Sequence, residues 1–193
     1  MFQGAAALAA ALQGTTRLTH LSVHGNQISE CSELSQALTA QTRLRQLNLA
    51  DNRLSAAALH SLHPVLRECR SLEVLVLARN RLEDEQAAVA LFGVLPQARN
   101  LRRLDLSGNS GLVVPAVVEA LVEAATACFW LLHVDGVPGD GLRLRLRHNR
   151  ELARSHRRKA SVLMAAILCS QRRALLLPLE LWDLIFDEFK SIL

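Results

Sequence analysis

Seven histidines, four cysteines and a run of arginines are the residues of this chain whose types and spacing suit chemistry. His20 and His24 lie four apart, but in a stretch that alternates like a strand. The i,i+4 pairing by which two histidines share a metal belongs to a helix. His60 and His63 do share a helical face, yet no third ligand accompanies them, so neither a metal nor a cofactor is expected. Asp105 and His133 stand at matching positions of successive segments, within reach of a hydrogen bond. Hydrolysis would also need a nucleophile and an oxyanion-stabilising group, and Ser22 and Ser107 are not placed to help. A surface pair is the plainer reading, and the chain is not expected to be an enzyme.

Cys31, Cys69, Cys128 and Cys169 lie far apart and form no C-x-x-C pair. That spacing argues against a thiolate zinc site or a disulfide framework and points to a reducing compartment, the cytoplasm or the nucleus. Between Arg143 and Arg173, ten lysines and arginines stand against the single acid Glu151, before the chain turns acidic at Glu180, Asp183, Asp187 and Glu188. Clustered cations attract phosphate, but no stacking aromatics interleave and no recognition motif accompanies them. A solvated helix face is therefore expected in place of a nucleic-acid site. No apolar run reaches the ~18 residues of a membrane span. The alanine-rich stretch from Ala5 to Leu12 lacks the basic flank of a signal sequence.

These residues need a scaffold, and composition narrows it. The chain has 193 residues, 50% of them hydrophobic, with thirty-nine leucines, only 4% aromatics and no tyrosine. Disorder is excluded by so much apolar content, and a β-sandwich is disfavoured by so few aromatics. One pattern, L-x-x-L-x-L-x-x-N, recurs. Leu18, Leu21, Val23 and Asn26 form one copy; Leu44, Leu47, Leu49 and Asn52 the next. Leu72, Leu75, Leu77 and Asn80 follow, then Leu101, Leu104, Leu106 and Asn109. The asparagines stand 26, 28 and 29 residues apart. A further step of 28 reaches Val137, with Phe129, Leu132 and Val134 ahead of it, which predicts a fifth copy lacking its asparagine.

Within each copy the L-x-L alternation reads as a short strand with one buried face. Helical stretches lie between: Ser32 to Ala40, Ser55 to Arg67, Asp84 to Leu95 and Pro115 to Ala127. Ser55 suits an N-cap, Pro115 a first turn, and Pro64 should kink or shorten its helix. The asparagine amides at 26, 52, 80 and 109 can donate to backbone carbonyls of neighbouring turns. Valine cannot, so this ladder should end at Val137.

The pattern resembles the leucine-rich repeat, and its period is similar to the ribonuclease-inhibitor subtype. The resemblance implies an α/β solenoid over residues 1–137, with a curved parallel sheet inside and helices outside, followed by a helical C-terminal cap over 138–193. Ala5 to Leu12 would be the helix of a preceding repeat. Terminal repeats normally carry a polar outer face, so this alanine-rich end fits a fragment of a longer receptor or an end covered by a partner. Three columns should line the concave side. They are His20, Gln46, Val74, Arg103 and Leu131; Ser22, Asn48, Val76, Asp105 and His133; and His24, Ala50, Ala78, Ser107 and Asp135. Repeat families bind proteins on such faces. The expectation is a non-catalytic protein–protein interaction module, its apolar centre at Val74 and Val76 rimmed by polar side chains. A GTPase-regulator role, known for the same subtype, is a further alternative.

After a turn-rich segment at 135–141, Leu142 to Arg147 alternates leucine and arginine and reads as a capping strand. Asn149 then reads as the N-cap of a basic helix. Leu177-Pro178-Leu179-Glu180-Leu181, with Ile185 and Phe189, resembles the opening helix of an F-box. That resemblance implies a helix begun by Pro178, whose stripe docks the adaptor of a cullin ubiquitin ligase. The chain would then be a substrate receptor of such a ligase. Cys169 with Leu177 to Leu179 is also weakly similar to a SOCS box, while a plain amphipathic cap is the alternative.

Overall fold

The computed structural model describes residues 3–171, with side chains described over 4–159. The chain divides into two compact units, Met1–Asn149 and Arg150–Leu193. In the first, α1 (Gln3–Leu12) leads to β1 (His20–Ser22), α2 (Ser32–Thr39), β2 (Gln46–Asn48), α3 (Ala56–Ser61) and α4 (His63–Glu68). Next come β3 (Val74–Val76), α5 (Glu85–Val94), β4 (Arg103–Asp105), α6 (Pro115–Ala127) and β5 (His133–Asp135). The last helix among the described residues, α7, spans Asp140–Gln171, and its opening turns belong to the first unit. Among the described residues, no helix is long and apolar enough to cross a membrane.

The five strands form one parallel sheet in sequence order, β1-β2-β3-β4-β5. Parallel neighbours need a crossover, and helices α2 to α6 supply it. Each strand is only three residues long, and its central residue is the one that faces the core. Leu47, Leu75 and Leu104 are at most 1% exposed, while their strand neighbours keep contact with solvent. The motif leucines around them, Leu44, Leu49, Leu72, Leu77, Leu101 and Leu106, join the same continuous core. Burying each such side chain is worth about 2 kcal/mol, so short strands are held by packing more than by their own ladder.

Helix boundaries follow local chemistry. The Ser55 side chain accepts from the Ala58 N–H at 3.4 Å and Asp84 accepts from Ala87 at 2.8 Å. Pro115 opens α6. The stretch from Ser55 to Arg67 breaks into α3 and α4 at Leu62. Pro64 carries no N–H and would kink or break a helix from its interior, at about 3 kcal/mol, but is tolerated in the first turn of a new one.

Two readings of the sequence are corrected here. Leu142 to Arg147 is helix, not strand, because α7 already begins at Asp140. Leu142 and Leu146, four apart, are buried at 2% and 4%, while Leu144 is 68% exposed. Alternating leucine and arginine fits either period, and the high helix propensity of both residues decides. Asn149 is correspondingly no N-cap. It lies inside α7, fully buried, and its amide donates to the carbonyls of Ala125 (3.1 Å), Cys128 (3.0 Å) and Leu131 (3.0 Å). Ala125 lies in the last turn of α6, whose carbonyls have no partner within their own helix.

The fifth copy exists, but two residues later than the asparagine spacing suggests. Leu104 pairs with Val134, not with Leu132. Leu131 takes the buried place of Leu101 at 1% exposure, and Phe129 is 50% exposed. Leu106 is matched by Gly136, at φ +91°, where a Cβ would come within 2.3 Å of the Ser107 backbone. The approach of the two turns leaves no room for a side chain there. Leu177, Pro178, Glu180, Leu181, Ile185 and Phe189, and with them the F-box-like and SOCS-box-like readings, lie outside the described residues.

Candidate functional site

The solvent-facing side of the sheet gathers chemically varied side chains from all five strands. Strand register lines up His20, Gln46, Val74, Arg103 and His133 in one row, and Ser22, Asn48, Val76, Asp105 and Asp135 in the next. His20, Ser22, Arg103 and His133 are exposed; Gln46, Asn48, Val74, Val76, Asp105 and Asp135 are half-buried. The third row begins with exposed His24, followed by buried Ala50 and half-buried Ala78 and Ser107. The shifted fifth copy changes three expected places. Leu131 leaves the first row for the core, His133 moves from the second row to the first, and Asp135 moves from the third to the second.

Asp105 and His133 therefore do not face each other. Asp105 instead accepts from the Ser107 N–H at 3.0 Å, as Asn48 accepts from Ala50 at 3.0 Å, each closing the turn after its strand. Between the two rows, Arg103 pairs diagonally across the strands with Asp135 at 2.9 Å. Arg45 and Glu73 pair at 3.8 Å, and Asp51 receives His24 at 3.4 Å and Arg79 at 3.8 Å. All these groups are solvated, so each pair is worth about 0–1 kcal/mol. They set the pattern of charge more than they hold the fold.

Behind the face runs the asparagine ladder. Asn52 donates to Val23 of the preceding repeat and to Leu49 and Ala50 of its own, while its oxygen accepts from the Ile28 N–H at 3.1 Å. Asn80 bridges Leu49 and Leu77 and accepts from Leu54; Asn109 bridges Leu77 and Leu106 and accepts from Asn80. Asn26 reaches only the Val23 and His24 carbonyls of its own turn. At this end Leu8, Leu18, Leu21 and Ile28 are only partly buried, and a cleft of about 350 Å³ opens beside Leu8 and Ile28.

A second ladder escapes the sequence reading. Gln41, Cys69, Ala98 and Cys128 each stand three residues before a core leucine, whose N–H donates to that residue's carbonyl. The Gln41 amide donates to Leu12 and Thr15, and the Cys69 thiol to Leu38 at 3.0 Å. The signal was present as C-x-x-L at Cys69-Leu72 and Cys128-Leu131, which also marks the true register of the fifth copy. Burial pushes the Cys69 thiol up to about 11, with help from Glu68, and Cys128 to about 12. Burial also raises Cys31, against hydrogen bonds from Ser61 and Ser35 that lower it. Thiols so protonated are poor nucleophiles. Among the described residues, no three His, Cys, Asp or Glu side chains gather where they could hold a metal. His60 and His63 meet edge to face at 5.3 Å, and burial lowers the His63 pKa, followed by the charges of His60 and Arg67.

A further set of residues stands where the strands end. The chain there turns through left-handed positions, and two are not glycine: Asp51 and Arg79, both at φ 52°. For an L-residue this conformation costs about 1 kcal/mol.

Stacked strand–turn–helix units with a leucine core and an asparagine ladder make this a leucine-rich-repeat fold of the α/β class. No family model matches the sequence. Human Protein NLRC5 is 35% identical over 111 residues, which is 55% of this chain but 6% of NLRC5. The chain thus matches only a small part of that protein's length. The tropomodulin C-terminal domain of Caenorhabditis elegans superposes with a TM-score of 0.69 and 18% identity, covering 80% of this chain and 98% of that one. Leiomodin-1 actin-binding site 2 gives a TM-score of 0.71 at 16% identity, over 79% of this chain and 93% of that one. Likeness at such identity shows a shared fold.

Proposed function

We propose that the chain is a non-catalytic recognition module that grips a partner protein through the open face of its sheet. The carrying observation is the half-buried pair Val74 and Val76, flanked in register by Gln46 and Asn48 on one side and by Arg103 and Asp105 on the other. An apolar centre with a polar rim is the make-up of a protein interface. Strands ~4.8 Å apart backed by helices that need ~8–10 Å favour a curved, ribonuclease-inhibitor-like solenoid with this face on its concave side. The leiomodin-1 neighbour is described as an actin-binding site, so actin is the first protein to try. The free buried thiols of Cys31, Cys69 and Cys128 fit a reducing compartment, the cytoplasm or the nucleus. The ligase-receptor and GTPase-regulator alternatives gain no support from the described residues.

The test is capture by the intact chain, beginning with actin, compared across Val76→Asp, Arg103→Glu and a helix-side control, Glu119→Lys. A partner lost with the two face variants and kept with the control supports the reading. A partner indifferent to both face variants overturns it.

A further inference from the structure

The rim at the strand ends carries its charge unevenly. The left-handed position three residues after each of the first four strands is Gly25, Asp51, Arg79 and Gly108 in turn, at φ of 71°, 52°, 52° and 74°. Glycine adopts this conformation freely, whereas the Cβ of arginine crowds the next carbonyl. The same two central repeats carry a second exposed charge just after their ladder asparagine, Arg53 and Arg81, where the outer repeats have Gln27 and Ser110. Arg79 is held in place: its guanidinium lies 3.8 Å from the Asp51 carboxylate with the side chain 74% exposed. Its stem crosses Gly108, where a Cβ would come within 2.9 Å of the Arg79 Cγ. Arg53 and Arg81 form no ion pair among the described residues.

We infer that Arg53, Arg79 and Arg81 determine the specificity of the recognition face, taking carboxylates of an acidic protein segment whose apolar side chains cover Val74 and Val76. This rests on the reading of the open face given above. At these strand-end positions three cations stand against the one carboxylate of Asp51, while Asp105 beside Val76 is engaged by the Ser107 N–H. The strand ends are therefore net positive, and a negative segment is their complement. Arginine suits the task, because its planar fork matches a carboxylate. Arg79 sits where glycine would fold better, and its pair with Asp51 leaves the side chain 74% exposed, open to a second carboxylate from a partner.

The probe is a short synthetic peptide alternating leucine and glutamate, titrated into the labelled intact chain and followed by NMR, with a leucine–lysine peptide as counterpart. The glutamate peptide should shift the amides of Val74, Val76, Arg79 and Arg81, and the lysine peptide should not. Arg79→Gly should weaken binding about fivefold, the effect of one exposed ion pair, while raising the melting temperature by about 2–4 °C as the left-handed strain is relieved. If Val76→Asp abolishes binding and Arg79→Gly leaves it unchanged, the arginine assignment fails and the open face stands. If both peptides shift the rim equally, the charge preference fails. Shifts confined to residues 150–159 overturn both readings. If short duplex DNA moves the rim amides and the glutamate peptide does not, a phosphate polymer displaces the acidic segment.

Discussion

Asn80 and Asn26 occupy the same place in the same motif, yet their surroundings differ. Asn80 is 6% exposed, joins two repeats through its amide and accepts an N–H from the repeat before it. Asn26 is exposed and closes only its own turn. The far end shows a third arrangement. There the ladder position has passed to Gly139 by register, and Asn149 reaches in from α7 to satisfy carbonyls at the end of α6 and in the turn that follows. The motif therefore specifies the turn, while the neighbouring repeat determines how much that turn contributes to stability.

Substitutions can break or sharpen this contrast. Gly136→Ala should cost most, upwards of ~3 kcal/mol, because its Cβ would collide with the Ser107 backbone at a φ alanine avoids. A fall of roughly 10 °C in melting temperature would show it. Asn80→Ala leaves the Leu54 N–H unpaired inside the protein and takes one of two amide donors from each of the Leu49 and Leu77 carbonyls, which keep Asn52 and Asn109, about 1–3 kcal/mol. Asn26→Ala should cost less than ~1 kcal/mol, and equal losses by urea unfolding would refute the distinction. Asn149→Leu should cost about 1–3 kcal/mol, and a neutral result would mean that the end of α6 needs no such partner.

The smallest effect depends on pH. Cys69 and Cys128 hold their protons to about 11 and about 12 when folded, against 9.0 for a free thiol. Above pH 9 the unfolded chain ionises first, so their contribution is complete below that point and is lost as pH rises toward the folded values. Cys128→Ala should flatten the decline of stability between about pH 9 and about pH 10.5. An unchanged slope in urea titrations would show that the thiol is not shielded as described.

Much of the repeat unit is legible in the sequence because its signals agree. Leucines at fixed spacing mark the core, Ser55 caps a helix, Pro115 opens another and Pro64 splits one. The failures share a cause. At Leu142 to Arg147 the pattern satisfies two periods at once, and propensity decides. In the fifth copy valine and glycine replace leucine, so counting from Asn109 misses a two-residue displacement that C-x-x-L would have revealed. The face is legible as a list of residues, but its pairings depend on register: Arg103 meets Asp135 only because β5 lies where Cys128 and Leu131 put it. Left-handed Arg79 leaves no mark in hydrophobic periodicity at all.

The most direct measurement places a photo-activated cross-linking side chain at single positions of the intact chain inside cells. One set stands on the open face, at Asn48 and Val76, and another on the helix side, at Gln36 and Glu119. A discrete protein adduct from the face positions and none from the helix positions is the predicted result. Adducts from the helix positions alone, or equally from both, would contradict the assignment of recognition to the sheet.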